Sequence, residues 1–184
     1  MPHPHYSQAR ASNRNFEPVQ NNLFEVTVFT PLGDNTGLIL QHVKNVDGLD
    51  DINPSIEAIT QKYKQSDRSY AGVPSQTYAD ITVNFTLNLN DANENYIYNI
   101  FRNWYKLIYN PQTGEYGLKK DYIGSIIIVR YDRAGNIYRK LTLKSVFPTG
   151  RPDGMGNLDY ENAEATELTI TFRCDIYNEE NVGA

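Results

Sequence analysis

The most regular pattern in the chain lies at residues 80–90. Ile81, Val83, Phe85, Leu87 and Leu89 alternate there with Thr82, Asn84, Thr86 and Asn88. A period of two puts all five apolar side chains on one face of a strand and the uncharged polar ones on the other. The same alternation marks a strand from Leu23 to Phe29, stopped by Pro31 and Gly33, and a further one from Leu38 to Val46, ended by Asp47 and Gly48. Residues 48–56, rich in Asp and Asn and containing Pro54, read as a turn region. After residue 90 the period changes. Asp91 is placed to cap a helix with Glu94 three positions on, and Ile97, Ile100, Phe101, Trp104, Leu107 and Ile108 then follow helical spacing. This predicts a helix over about 92–109, with Pro111 and Gly114 ending it.

Three strands are expected beyond the helix. Residues 122–133 contain Ile126-Ile127-Ile128-Val129, apolar at every position, which predicts a central strand covered on both faces. Ala134-Gly135-Asn136 makes a tight turn into 137–147, where Ile137, Leu141 and Leu143 alternate with polar residues. Residues 148–162 read as a loop of Gly, Pro and Asp. In the last strand Leu168, Ile170, Phe172, Cys174 and Ile176 are expected to point one way. The sum is a mainly β fold, an antiparallel β-sandwich or open barrel with one flanking helix.

Residues 56–73 break the pattern. They predict two strands around a turn at Gln65-Ser66-Asp67, yet carry Lys62, Tyr63, Lys64, Arg68 and Tyr70 rather than a row of large aliphatic side chains. A hairpin of this kind buries little by itself and leans on its own body or on a partner.

Composition removes several function classes. The 184 residues suit one domain with a core, preceded by an arm at 1–20 that mixes Pro with Ser, Asn, Gln and Arg. Seventeen Lys and Arg stand against 22 Asp and Glu, a net charge of −5, which argues against a surface that grips nucleic acid. Cys174 stands alone, so an intrachain disulfide or a cysteine zinc cluster is excluded, and its place in a strand reads as a buried thiol. His3 and His5 lie in the arm, and His42 has no carboxylate or Cys companion in sequence. No apolar run approaches the roughly 20 residues needed to cross a bilayer, and the first 15 residues do not resemble a secretory signal. Phosphate-loop, nucleophile-elbow and zinc-protease motifs do not occur, so neither a catalytic site nor a bound cofactor or metal is expected. The acidic run from Asp91 to Asn95 has Tyr96 where a calcium loop requires Gly, and helix capping explains it. Fourteen Tyr, scattered over nearly every element, suit a domain with several interfaces, since Tyr buries area while keeping a polar tip.

The order of these motifs resembles the tail tube proteins of T4-like contractile-tailed bacteriophages. Asn22-Leu23-Phe24-Glu25-Val26 opens the match. Arg68-Ser69-Tyr70-Ala71-Gly72 then leads into Asp80-Ile81-Thr82-Val83-Asn84-Phe85. The capped helix with Phe101-Arg102-Asn103-Trp104, the hairpin ending in Phe147-Pro148-Thr149, and a closing strand with Cys174-Asp175-Ile176-Tyr177 complete it over 22–177. The resemblance implies the phage tail-tube fold in a domain spanning 21–178, with 179–184 as a tail. It further implies a non-enzymatic structural subunit forming six-membered rings stacked around a DNA channel. Its partners would be other copies of itself, the sheath, a baseplate tube-initiator, a tape-measure protein and a tail terminator. DNA would pass without specific binding, and the chain would insert in no membrane. It would reside in the virion tail after assembly in the host cytoplasm. Residues 48–75 would then be the arm reaching a neighbouring subunit, with Lys62, Tyr63, Lys64, Arg68, Tyr70 and Gly72 as contacts. Thr82, Asn84, Thr86 and Asn88 would line the channel, where uncharged polar groups neither hold nor impede DNA. A baseplate initiator or an injection-system tube subunit fits the same fold, and a carbohydrate-binding sandwich with Tyr platforms is the alternative of another class.

Overall fold

A computed structural model of the chain describes residues 20–33, 42–49, 56–74, 80–87, 97–153 and 166–182. The alternating segments form strands β1 (Phe24–Phe29), β2 (Val43–Asp47) and β5 (Ile81–Thr86), and the polar hairpin forms β3 (Ala58–Lys62) and β4 (Asp67–Ala71). Helix α1 (Ile97–Ile108) follows. Next come the two-residue strands β6 (Tyr109–Asn110) and β7 (Glu115–Tyr116), and the short helix α2 (Lys119–Tyr122). The chain continues through β8 (Gly124–Tyr131), β9 (Ile137–Asp153), β10 (Glu167–Arg173) and β11 (Ile176–Asn181).

Seven strands form one antiparallel sheet in the order β1-β8-β9-β10-β5-β2, with β11 also on β9. Strand β9 makes this sheet a sandwich. Up to Val146 it pairs with β8 and β11, and from Phe147 onward it pairs with β10. The change of partner coincides with Ser145, whose φ of 55° lies in the left-handed region that side chains other than Gly avoid. One layer is therefore β1-β8-β9-β11 and the other β9-β10-β5-β2. Val26, Val28, Ile126, Ile128, Leu141 and Leu143 of the first layer share one buried core with Ile81, Val83, Phe85, Leu168, Ile170 and Phe172 of the second.

Helix α1 lays its apolar stripe into this core. Ile97, Ile100, Phe101 and Trp104 are buried, with Phe101 4.9 Å from Phe85 and Trp104 5.8 Å from Phe172 between ring centroids. The indole Nε1 of Trp104 donates to the Tyr122 carbonyl at 2.6 Å, so the burial leaves no orphaned donor. A β-carbon at Gly124 would stand 2.3 Å from the Phe29 carbonyl oxygen and 2.9 Å from the indole, so the close approach of α1 to β8 requires glycine there.

Several sequence expectations need correction. The run at 126–129 is covered on one face only: Ile126 and Ile128 are buried, whereas Ile127 and Val129 remain half-buried because no second layer among the described residues lies over them. Residues 148–153 are strand, not loop. Pro148 is accommodated because, among the described residues, this part of β9 has a ladder partner on one side only, so its missing N–H breaks no bond on the open side. The last strand is broken at Cys174 and Asp175. Leu168, Ile170, Phe172 and Cys174 are buried as expected, but Ile176 is 51% exposed, because β11 has left β10's layer to pair with the first half of β9. It continues to Asn181, past the limit of 178 read from the sequence. The helix ends at Ile108, and the Pro111 and Gly114 segment is the β6–β7 hairpin. The cap at Asp91 and Glu94, the arm at 1–19 with His3 and His5, and most of the 48–56 turn lie outside the described residues.

Candidate assembly surfaces

The β3–β4 hairpin forms a two-stranded ladder of its own, separate from the sandwich. Every residue of both strands is exposed. Pairing of Ile59 with Tyr70 and Gln61 with Arg68 places the large side chains on one face. Ala58 with Ala71 and Thr60 with Ser69 give the other face small groups until Lys62 and Asp67 near the tip. Ile59 is 56% and Tyr70 49% exposed, with Ile56 and Val73 also uncovered at the foot. At the tip, the Tyr63 hydroxyl donates to Gln61 Oε1 at 3.1 Å and the Arg68 guanidinium lies 5.8 Å over the Tyr63 ring. Lys62 and Lys64 flank this cluster. Gly72 closes the foot, its N–H donating to the Glu57 carbonyl at 2.7 Å, where a β-carbon would collide with the same oxygen. The five side chains expected as contacts, Lys62, Tyr63, Lys64, Arg68 and Tyr70, are thus together on one exposed ribbon.

Thr82, Asn84 and Thr86 lie on the outer face of the second layer, half-buried by their cross-strand neighbours. Asn88 lies outside the described residues. The register builds a polar surface across four strands, with Asp47, Thr82, Thr171 and Thr149 in one row, charged in that row only at its β2 edge by Asp47. The Thr169 hydroxyl donates to Asn84 Oδ1 at 2.7 Å, and Thr82 and Thr171 are 3.4 Å apart between hydroxyl oxygens. Ion pairs of Lys44 with Glu167 and Arg173 with Asp80 border this surface, while the Asp47 carboxylate accepts, among the described residues, only from the Asn45 amide.

Two concavities escaped the sequence reading, because each joins elements distant in the chain. A groove of about 880 Å³ runs between α1 and β9, lined by Tyr105, Ile108, Tyr109, Phe147 and Pro148 with Arg102 and Lys106 from the helix. The Tyr105 hydroxyl donates to the Thr149 carbonyl at 2.8 Å, and burial pushes this phenol up to about 12. A smaller cavity of about 360 Å³ lies where the edge strands β1 and β2 meet, lined by Phe24, Asn45, Val46, Asp47, Leu49 and Arg130 among others.

His42 is a buried structural residue, its Nδ1 2.8 Å from the Thr86 carbonyl oxygen, an acceptor that fixes the ring tautomer. Burial raises the Cys174 thiol above its ordinary range, which disfavours the thiolate. Among the described residues no three His, Cys, Asp or Glu side chains gather in a way that could hold a metal ion.

No protein-family model and no curated protein matches this sequence. Solved structures do. A chain of the sheath–tube complex of the extracellular contractile injection system PVC, in its extended state, aligns over 95% of this chain and 97% of its own, with a TM-score of 0.57 at 16% identity. The tube-terminating cap of the anti-feeding prophage gives 0.57 at 17% identity over 91% and 93%. The sheath/tube terminator of PVC gives 0.54 at 15% identity over 90% and 99%. The chain has the tail-tube fold. At these identities the likeness is one of fold, and it extends over nearly the whole length of both partners.

Proposed function

We propose that this chain is a structural subunit of a contractile-tail tube, assembling head to tail into six-membered rings that stack around a channel. The observation that carries this reading is the β3–β4 hairpin. It is a ribbon with every strand residue exposed and with Ile59 and Tyr70 uncovered, beside a sandwich whose core rows such as Ile81, Val83 and Phe85 are fully buried. A two-stranded hairpin is marginal in water alone, so a chain that keeps one uncovered supplies it for another subunit. The contacts are Lys62, Tyr63, Lys64, Arg68, Tyr70 and Gly72, and further copies, a sheath, a baseplate initiator, a tape-measure protein and a terminator are the partners.

Asn88, outside the described residues, is assigned from the sequence alternation to the outer face carrying Thr82, Asn84 and Thr86, and this face is the channel lining. Its hydroxyl and amide groups are paired with one another and offer no array of cations to phosphate, and the net charge of −5 repels a polyanion. Such a wall lets cargo slide. An injection-system tube is the second reading, favoured because the solved structures of the same fold come from injection systems and a prophage particle. That reading exchanges the cargo while leaving the subunit's role unchanged.

Electron microscopy of the purified protein with a baseplate seed tests the proposal. Rings or hollow tubes are expected. Deletion of residues 66–72 should leave a folded subunit that forms neither, and unimpaired tubes from that deletion would falsify the role given to the hairpin.

A further inference from the structure

The hairpin tip has an unusual charge for this molecule. Residues 61–68 hold Lys62, Lys64 and Arg68 against Asp67, a net +2 in a chain of −5, which leaves −7 on the remainder. Among the described residues no carboxylate forms an ion pair with any of the three cations, whereas Lys44, Lys119, Arg139, Lys140 and Arg173 are each paired on the body. The tip therefore keeps a net positive charge that no ion pair among the described residues offsets, and the stacked Tyr63 and Arg68 give it a flat, partly apolar end.

The seam between β1 and β2 has a carboxylate, Asp47, in no ion pair with any described residue, and one cation, Arg130. Strands β1 and β2 are the edge strands of the two layers, and no ladder among the described residues continues the sheet beyond either. The cavity between them has Phe24, Val46 and Leu49 among its lining, all only partly buried against the core. Asn45 and Asp47 also line it. The Asn45 Nδ2 donates to Asp47 Oδ2 at 3.1 Å, but the Asn45 Oδ1 is buried with no hydrogen-bond partner. A buried acceptor without a donor is unfavourable, so a group that donates at this seam is favoured. The one cation of the lining, Arg130, is already engaged, donating to Asn21 Oδ1 at 3.0 Å and lying 5.8 Å over the Tyr138 ring.

We infer that the seam between β1 and β2 is the socket for the hairpin tip of a second copy of this chain. The socket offers a carboxylate, an unmet acceptor and an apolar floor. The tip offers cations, each with several N–H donors, and an aromatic ring. A cavity of about 360 Å³ accommodates one long side chain with its stacked neighbour, not a whole strand. Because socket and tip lie on different parts of one subunit, the contact is heterologous and propagates, as a head-to-tail assembly requires. The inference rests on the tube reading and names the partner surface for the arm within it.

A charge swap between Arg68 and Asp47 tests it, using the full chain and the protein concentration at which assemblies sediment. Arg68→Glu alone and Asp47→Arg alone should each raise that concentration about tenfold, and the double variant should return it to within about threefold of the parent. Added salt should weaken parental assembly. Thermal melting verifies that each variant is folded, and Asp47→Asn, which keeps the local hydrogen bond, replaces Asp47→Arg if the larger residue disturbs β2. Single variants that assemble like the parent overturn the socket while leaving the tube reading intact, and so does a double variant no better than the singles. Loss from Asp47→Arg without loss from Arg68→Glu assigns the seam to another segment and overturns the tip. A parent chain that never self-associates overturns both.

Discussion

Strand β5 and the β3–β4 hairpin are both antiparallel and both alternate, yet they end in opposite environments. In β5 the inward residues Ile81, Val83 and Phe85 are completely buried. In the hairpin the equivalent apolar pair, Ile59 and Tyr70, is about half exposed, and its other face holds nothing larger than Thr until Lys62. The difference is in what faces each ribbon. Strand β5 has a ladder on each side and, on its inner face, the aromatic cluster of Phe101, Trp104 and Phe172. Among the described residues the hairpin ladder has only itself. An alternating pattern thus states that a ribbon has an inside, and the size of the inward side chains states whether that inside belongs to the same chain.

The comparison breaks first at Phe85. Replacing it by Ala removes the ring 4.9 Å from Phe101 and leaves a cavity that neighbours on both layers cannot fill. A loss of about 3–5 kcal/mol is expected. Because a chain of this length moves its midpoint about 2–4 °C per kcal/mol, thermal melting should fall by roughly 6–20 °C. A drop of only a degree or two would mean that the β5 face is no better supported than the hairpin.

The same contrast explains what could be read from the sequence. The inward rows of β1, β5 and β10 and the stripe of α1 were legible because local periodicity and burial agree there. Three features were not. Strand β9 crosses between layers at Ser145, and Pro148 and Gly150 disguise its second half as a loop, since a local reading cannot know that this stretch is an edge. Ile176 breaks its row because the corner at Cys174 and Asp175 resets the inside of the strand. Ile127 and Val129 read as covered, and their half-exposed outer face marks either a tolerated apolar surface or one completed by assembly. At the candidate surfaces, the composition of the hairpin was itself the signal. The groove at α1 and the seam at β1 and β2 join residues more than 20 positions apart, so no window of sequence contains them.

An effect of intermediate size comes from pH and acts on the body alone. Burial lifts the Tyr105 and Tyr177 phenols from the ordinary 10 to about 12. The folded state therefore keeps both neutral where the unfolded chain ionises them, so their stabilising contribution is fully present below pH 10. It should be lost as pH rises from 10 to 12. Melting temperatures measured across that window should decline, and Tyr105→Phe, which has no proton to lose, should decline less steeply. Equal slopes for the two proteins would show that Tyr105 is more open to water than its bond to the Thr149 carbonyl indicates.

The smallest stability effect is expected where the assembly effect is large. Ile59→Ser combined with Tyr70→Ser removes the only large apolar pair of the hairpin, but both side chains are about half exposed and touch no part of the core cluster. Surface substitutions of this kind stay within about 0.5 kcal/mol, so the melting temperature should be unchanged within a degree or two. Assembly should fail all the same, because the lost contacts lie between subunits. A double variant that melts several degrees lower would place the pair in an intrachain core. One that melts normally and still polymerises would leave the hairpin without the role that separates it from β5. Stability and assembly respond to different faces of the same ribbon fold, and this double variant separates them.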